Sequence, residues 1–101
     1  MRGKVGPTHG QIQKAVKDLL EWHRWRVWHN QQGLGSYPGV TDLTAIKRGY
    51  GEWWIEIKTP GTTLSKAQRE FRDMIIGEQG RWSCFYSVDE AMREIAEMEA
   101  G

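Results

Sequence analysis

Apolar residues between Ile12 and His23 recur with the period of one helix face. Ile12, Ala15, Val16, Leu19, Leu20 and His23 follow the i, i+3, i+4, i+7, i+8, i+11 spacing, which predicts a helix from about Thr8 to Trp25 with Thr8 as its N-cap. The pattern then shortens. Arg26–Asn30 reads as a strand closed by Gly33 and Gly35, and Ser36–Thr41, with Pro38 and Gly39, reads as a loop that delivers Asp42. Thr41–Arg48 and Trp53–Lys58 read as two strands joined through Gly49-Tyr50-Gly51, a hairpin. Pro60 and Gly61 end the third strand. Ser65 is placed to cap a second helix reaching about Gln79, with Leu64, Ala67, Phe71, Met74 and Ile75 as its apolar stripe and Gly80 as its stop. Trp82–Val88 alternates loosely as a fourth strand. Asp89 then caps a last helix bearing Ala91, Met92, Ile95 and Met98. The order αβββαβα predicts an α/β fold in which helices flank a mixed sheet with the hairpin at its centre.

The third strand carries the chemistry. Side chains alternate faces along a strand, so Trp53, Ile55 and Ile57 point one way and Trp54, Glu56 and Lys58 the other. Glu56 and Lys58 are therefore about 6.5 Å apart on one face. A carboxylate among Trp54, Ile55 and Ile57 is costly unless it is paired or bound to a cation. Alone, Glu56 reads equally as one half of a surface pair with Lys58 or Arg48, and Asp42 alone as an ordinary turn aspartate. Together, at hairpin spacing, they favour a shared ion. Mg²⁺ takes oxygen ligands and retains water, so two carboxylates and one backbone carbonyl, that of Ile57, make a sufficient protein contribution. Lys58 is then placed to orient an attacking water or to stabilise charge on a phosphate. Gln68 borders the second helix's stripe and is positioned to face Glu56 and Lys58, although a helix-edge Gln bonded to backbone fits as well. Thr59 and Ser65 flank the same region with a weaker signal.

Composition narrows the setting. A chain of 101 residues supports one domain with a small core. Its 14 basic and 13 acidic side chains leave a net charge of +1, which excludes a histone-like tail binder. The charge is unevenly distributed: residues 1–58 hold nine Lys/Arg against five acids. A cation at Asp42 and Glu56 would make that half still more suitable for a polyanion, with Arg2, Lys4, Lys14, Lys17, Lys47, Arg48 and Lys66 as candidates to track phosphates. The single Cys84 forms no intramolecular disulfide and fits a reducing cytoplasm. No apolar run approaches the length of a membrane span, and no signal-peptide pattern is present. The histidines lack metal-binding spacing, which argues against structural zinc. Residues 1–7 are Gly-rich and basic and read as a flexible arm. Of six tryptophans, Trp28, Trp53 and Trp82 are assigned to the core. Trp22, Trp25 and Trp54 cannot all be buried in so small a domain, so some of them serve a subunit interface, the preferred reading, or stack on bases.

Three blocks, Pro38-Gly39-Val40-Thr41-Asp42-Leu43, Ile55-Glu56-Ile57-Lys58-Thr59-Pro60-Gly61 and Leu64-Ser65-Lys66-Ala67-Gln68-Arg69-Glu70-Phe71, resemble the VRR-NUC branch of the PD-(D/E)xK nuclease superfamily. The resemblance covers most of the chain. It implies a restriction-endonuclease-like αβββαβ core, DNA as substrate, and dependence on Mg²⁺, with Mn²⁺ able to substitute. It further implies metal-ligand roles for Asp42 and Glu56, a catalytic role for Lys58 and a supporting one for Gln68. Small stand-alone members resemble phage nucleases acting as homodimers on branched DNA such as four-way junctions. The expectation is therefore a structure-selective endodeoxyribonuclease of phage DNA replication, repair or recombination, in the cytoplasm. The family often carries a Glu early in the first helix. Thr8–Gln13 holds no acid, so His9, Gln11 or a water takes that position. The alternatives are a non-catalytic DNA-binding module on the same fold and a small interaction domain in which Glu56 and Lys58 are structural.

Overall fold

Thr8 and Gln11 start the first helix with a reciprocal capping box, in which the Thr8 hydroxyl accepts from the Gln11 N–H at 3.1 Å and the Gln11 side chain accepts from the Thr8 N–H at 2.9 Å. The computed structural model describes residues 6–101, so most of the expected N-terminal arm lies outside the described residues. Its elements are α1 (His9–Trp22), β1 (Arg26–His29), β2 (Leu43–Lys47), β3 (Gly51–Ile57), α2 (Lys66–Gly77), β4 (Arg81–Phe85) and α3 (Val88–Ala100). The sheet order is β1-β2-β3-β4. The first three strands are antiparallel, and β4 is parallel to β3 after the α2 crossover. The predicted α/β class, element order and central hairpin all stand.

The two sheet faces have different covers. Trp53, Ile55 and Ile57 join Leu43, Ala45 and Phe85 under α1 and α3, which contribute Ile12, Val16, Leu20, Ala91 and Ile95 to one core. On the other face Phe71 of α2 meets the Trp54 ring edge-on at 5.6 Å and Tyr37 of the β1–β2 loop at 5.7 Å. The period-2 alternation read for β3 therefore assigns each side chain to its layer.

Some expectations need correction. α1 stops at Trp22, because Arg24 adopts a left-handed φ of 75° and the Trp25 N–H turns back to the Leu20 carbonyl at 3.0 Å. That turn buries Trp25 against Trp53 at 5.2 Å and sets the parity of β1, so Trp25 and not Trp28 is core. Trp28 is 45% exposed and Trp22 82% exposed, while Trp82 is half-buried beneath α2, with Arg72 above its ring. α3 is capped by Ser87, whose hydroxyl accepts from the Glu90 N–H. Asp89 lies in the first turn, where its charge suits the helix dipole. Ser65 is the N-cap of α2, which commits its hydroxyl to the Gln68 N–H.

Candidate active site

One end of the hairpin brings the predicted residues together. The β2–β3 register pairs Leu43 with Ile55, so Asp42 stands opposite Glu56 on the face turned toward α2. Both are buried, Asp42 at 9% and Glu56 at 4% exposure. This excludes a surface ion pair as the setting for Glu56. Asp42 Oδ2 accepts from the Ile57 N–H at 2.8 Å. The N–H and C=O of one strand residue project to the same side, so the Ile57 carbonyl also faces Asp42 rather than β4. The Lys58 N–H instead donates to the Phe85 carbonyl at 3.0 Å, which ties the strand end to β4.

Burial pushes the Glu56 carboxyl up to about 8, assisted by the negative charge of Asp42 and by a hydrogen bond between the two carboxyl groups; Lys58 acts in the opposite direction. Lys58 is thus close enough for its charge to be felt, although no carboxylate lies within 4 Å of its ammonium among the described residues. Gln68 carries two tasks. Its Oε1 accepts from the Ser65 N–H at 2.8 Å in the α2 capping box, and its Nε2 donates to Glu56 Oε2 at 3.1 Å. The helix cap is therefore hydrogen-bonded to the buried acid. Gly39, at φ +75°, lets the loop pass directly against the Ala67 carbonyl at the start of α2, which leaves no room for a Cβ.

Of the first-helix residues considered for the site, His9 is the one that reaches Asp42. Its Nε2 lies 3.4 Å from Asp42 Oδ2, whereas Gln11 is engaged in the α1 cap. Sequence reasoning passed over Asn30. Its Nδ2 donates to Thr44 Oγ1 at 2.7 Å and to the Thr41 carbonyl at 3.0 Å, while its N–H donates to the Asp42 carbonyl at 2.9 Å. Asn30 thus fixes the backbone that carries Asp42, and an Asn at the end of a strand gives no signal of that task. Among the described residues no three His, Cys, Asp or Glu side chains form a ready cage for a metal. Two buried carboxylates that repel one another, beside the Ile57 carbonyl, nevertheless suit a hard cation that keeps its own waters. Of the basic side chains expected to track phosphate, Lys14 and Lys17 are paired with Asp18 and Glu21, and Lys47 donates to the His23 carbonyl. Arg2 and Lys4 lie outside the described residues.

The fold and this end of the sheet define an α/β domain of the restriction-endonuclease-like kind, with paired carboxylates at the hairpin. A solved structure described as a VRR_NUC domain shares the fold, with a TM-score of 0.76 and 22% sequence identity over 87% of this chain and 94% of that one. No protein-family model and no curated protein matches the sequence. No helix among the described residues is long and apolar enough to cross a membrane.

Proposed function

We propose that this chain is a VRR-NUC-type, metal-dependent endodeoxyribonuclease that hydrolyses phosphodiester bonds. The observation that carries the reading is the convergence of buried Asp42 and Glu56 across the hairpin, with Lys58 on the same face. Asp42, Glu56 and the Ile57 carbonyl hold Mg²⁺, or Mn²⁺ in its place, and the ion supplies charge neutralisation at the phosphate and a more acidic water. The protein's own residues do the rest. Gln68 holds the Glu56 carboxylate through Oε2, Asn30 and the Ile57 N–H hold Asp42, and Lys58 presents its ammonium to the attacking water or to phosphate charge.

The finer reading follows the resemblance. The substrate is branched DNA such as a four-way junction, and the enzyme is a homodimer whose two sites cut two strands of a two-fold-symmetric substrate, in a phage or host cytoplasm. The exposed ring of Trp22 is the part of the tryptophan surplus that supports a dimer; Trp25 has gone to the core and Trp54 packs on Phe71. The test is cleavage of labelled junction, flap, single-stranded and duplex DNA in Mg²⁺, Mn²⁺ or EDTA, with Lys58→Ala as control. Metal-dependent cutting abolished in Lys58→Ala supports the enzyme. Tight binding without cutting in any metal identifies a DNA-binding module, a reading that the histidine in place of the helix-one acid favours.

A further inference from the structure

A cavity of about 730 Å³ opens at the opposite end of the hairpin, where Arg24, Arg26, Lys47 and Arg48 surround Ile46. Lys47 is committed to the His23 carbonyl and lies 3.9 Å from Glu99. No carboxylate lies within 4 Å of Arg24, Arg26 or Arg48 among the described residues, and none of the three side chains donates a hydrogen bond there. Three cations without an ion-pair partner among the described residues border one concavity.

The register shows where this cavity leads. Asp42, Thr44 and Ile46 alternate onto one face of β2, and Trp28 and Arg26 pair with Thr44 and Ile46 on β1. That face is the one bearing the Asp42 and Glu56 carboxyls. α2 covers the β3–β4 side; on the β1–β2 side Thr44 is 1% exposed, and Trp28 and Ile46 form the surface at 45% and 38% exposure. Glu52, in register with Ile46, bounds the strip on the β3 side. A strip surfaced by Trp28 and Ile46 therefore runs from the carboxylate pair to the arginines. Its length along the five residues of β2 is about 17 Å at the usual strand rise.

Arg24 and Gln79 are the two non-glycine residues of positive φ among the described residues, each directly after a helix cap. A left-handed residue directly after a helix is ordinarily glycine, and here an arginine occupies it at φ 75°.

We infer that Arg24, Arg26 and Arg48 form a second, non-catalytic contact for the phosphate backbone of a DNA arm leading away from the site at Asp42 and Glu56. The strip spans about five base pairs at about 3.4 Å per step, so a phosphate near the carboxylates and others at the arginines belong to one arm. The inference rests on the proposed nuclease reading for the direction of that arm, but not for the existence of the anion contact.

The test is binding of the full chain to a fluorescein-labelled four-way junction, and to the same junction with one arm cut to a few base pairs, by anisotropy in EDTA across a salt series. The Arg24→Ala/Arg26→Ala/Arg48→Ala variant is expected to bind at least about tenfold more weakly, with a salt slope lower by about 2 to 3. Shortening the arm should weaken the parent and leave the variant unchanged. Arg93→Ala on α3 is the charge control and keeps parental binding. Arg24→Gly separates contact from folding, since glycine relaxes the left-handed turn: it should melt no lower than the parent and still bind more weakly. Parental affinity and slope in the triple variant overturn the inference, as does an equal loss in Arg93→Ala. If no metal supports cutting but arginine-dependent binding persists, the nuclease reading fails and the arginine contact stands.

Discussion

Replacing Glu56 with Gln should make the metal-free protein more stable while removing metal binding. Glu56 has its carboxyl raised from the ordinary 4.5 to about 8 by burial and by Asp42. In the unfolded chain the group ionises near its ordinary value, so between these two values the folded protein retains a proton that the unfolded chain releases. For such an acid stability is full below the lower value, falls as pH rises, and levels off above the higher one. At pH 7 the shift integrates to about 3 kcal/mol of lost stability, and about half of that survives local relaxation and water entry. Gln at this position keeps an oxygen for the Gln68 Nε2 donor and gives Asp42 a donor in place of a rival charge. A gain of about 1 to 2 kcal/mol raises the melting temperature of a domain this size by roughly 4 to 16 °C. The assay is thermal unfolding of both proteins from about pH 5 to pH 9 in EDTA and again in Mg²⁺. The melting difference should be small at the acid end, grow with pH and flatten above about 8. Mg²⁺ should narrow it by stabilising the parent alone. A pH-independent difference, or a variant that melts lower throughout, would show that the carboxylates do not repel as argued.

Three further outcomes follow from the same geometry. Gly39→Ala drives a Cβ into the Ala67 carbonyl from a left-handed residue and should cost at least about 2 kcal/mol, read as a lower urea midpoint at unchanged slope. His9→Glu introduces an acid where His9 Nε2 now lies 3.4 Å from Asp42 Oδ2, and should tighten Mg²⁺ binding about tenfold or more by calorimetry; unchanged or weaker binding places His9 outside the ligand sphere. Asn30→Ala leaves the Thr44 hydroxyl without its amide donor and the Thr41 carbonyl with Gln32 alone, and should cost about 1 to 3 kcal/mol in stability, with cleavage falling more steeply than binding because the backbone that carries Asp42 is held less firmly.

What could be read from sequence, and what could not, divides along local and tertiary lines. The alternation of Trp53 to Lys58 is a local property of one strand, and it assigned Glu56 and Lys58 to the face away from the main core before any partner was known. The spacing of the hairpin likewise brought Asp42 opposite Glu56, because antiparallel pairing converts sequence distance into register. Sequence assigns Trp28 to the core, and Trp25 is the buried ring instead. Its burial follows from a left-handed Arg24, a conformation that sequence ordinarily announces with glycine, and the parity of all of β1 depends on that one residue. Gln68 was legible as a helix-edge residue, but its bond to Glu56 depends on the closeness with which α2 is seated. That closeness is set by Gly39 some thirty residues earlier in the chain.

The site itself is a case where local rules yield to charge. A sequence optimised for a stable sheet would not place a second carboxylate opposite Asp42 in a buried row, since each one raises the cost of ionising the other. Gln68 and the Ile57 N–H contribute donors that satisfy single oxygens of the pair, but they bring no positive charge. Lys58 brings charge but makes no contact with either acid within 4 Å among the described residues. The remaining deficit is the size of a cation, and a cation is what the pair is suited to hold. The same deficit makes Glu56→Gln informative, because it is the one change expected to improve the fold and abolish metal binding at once. A stabilised variant that still binds Mg²⁺ with parental affinity would remove the physical basis for assigning the ion to these two carboxylates.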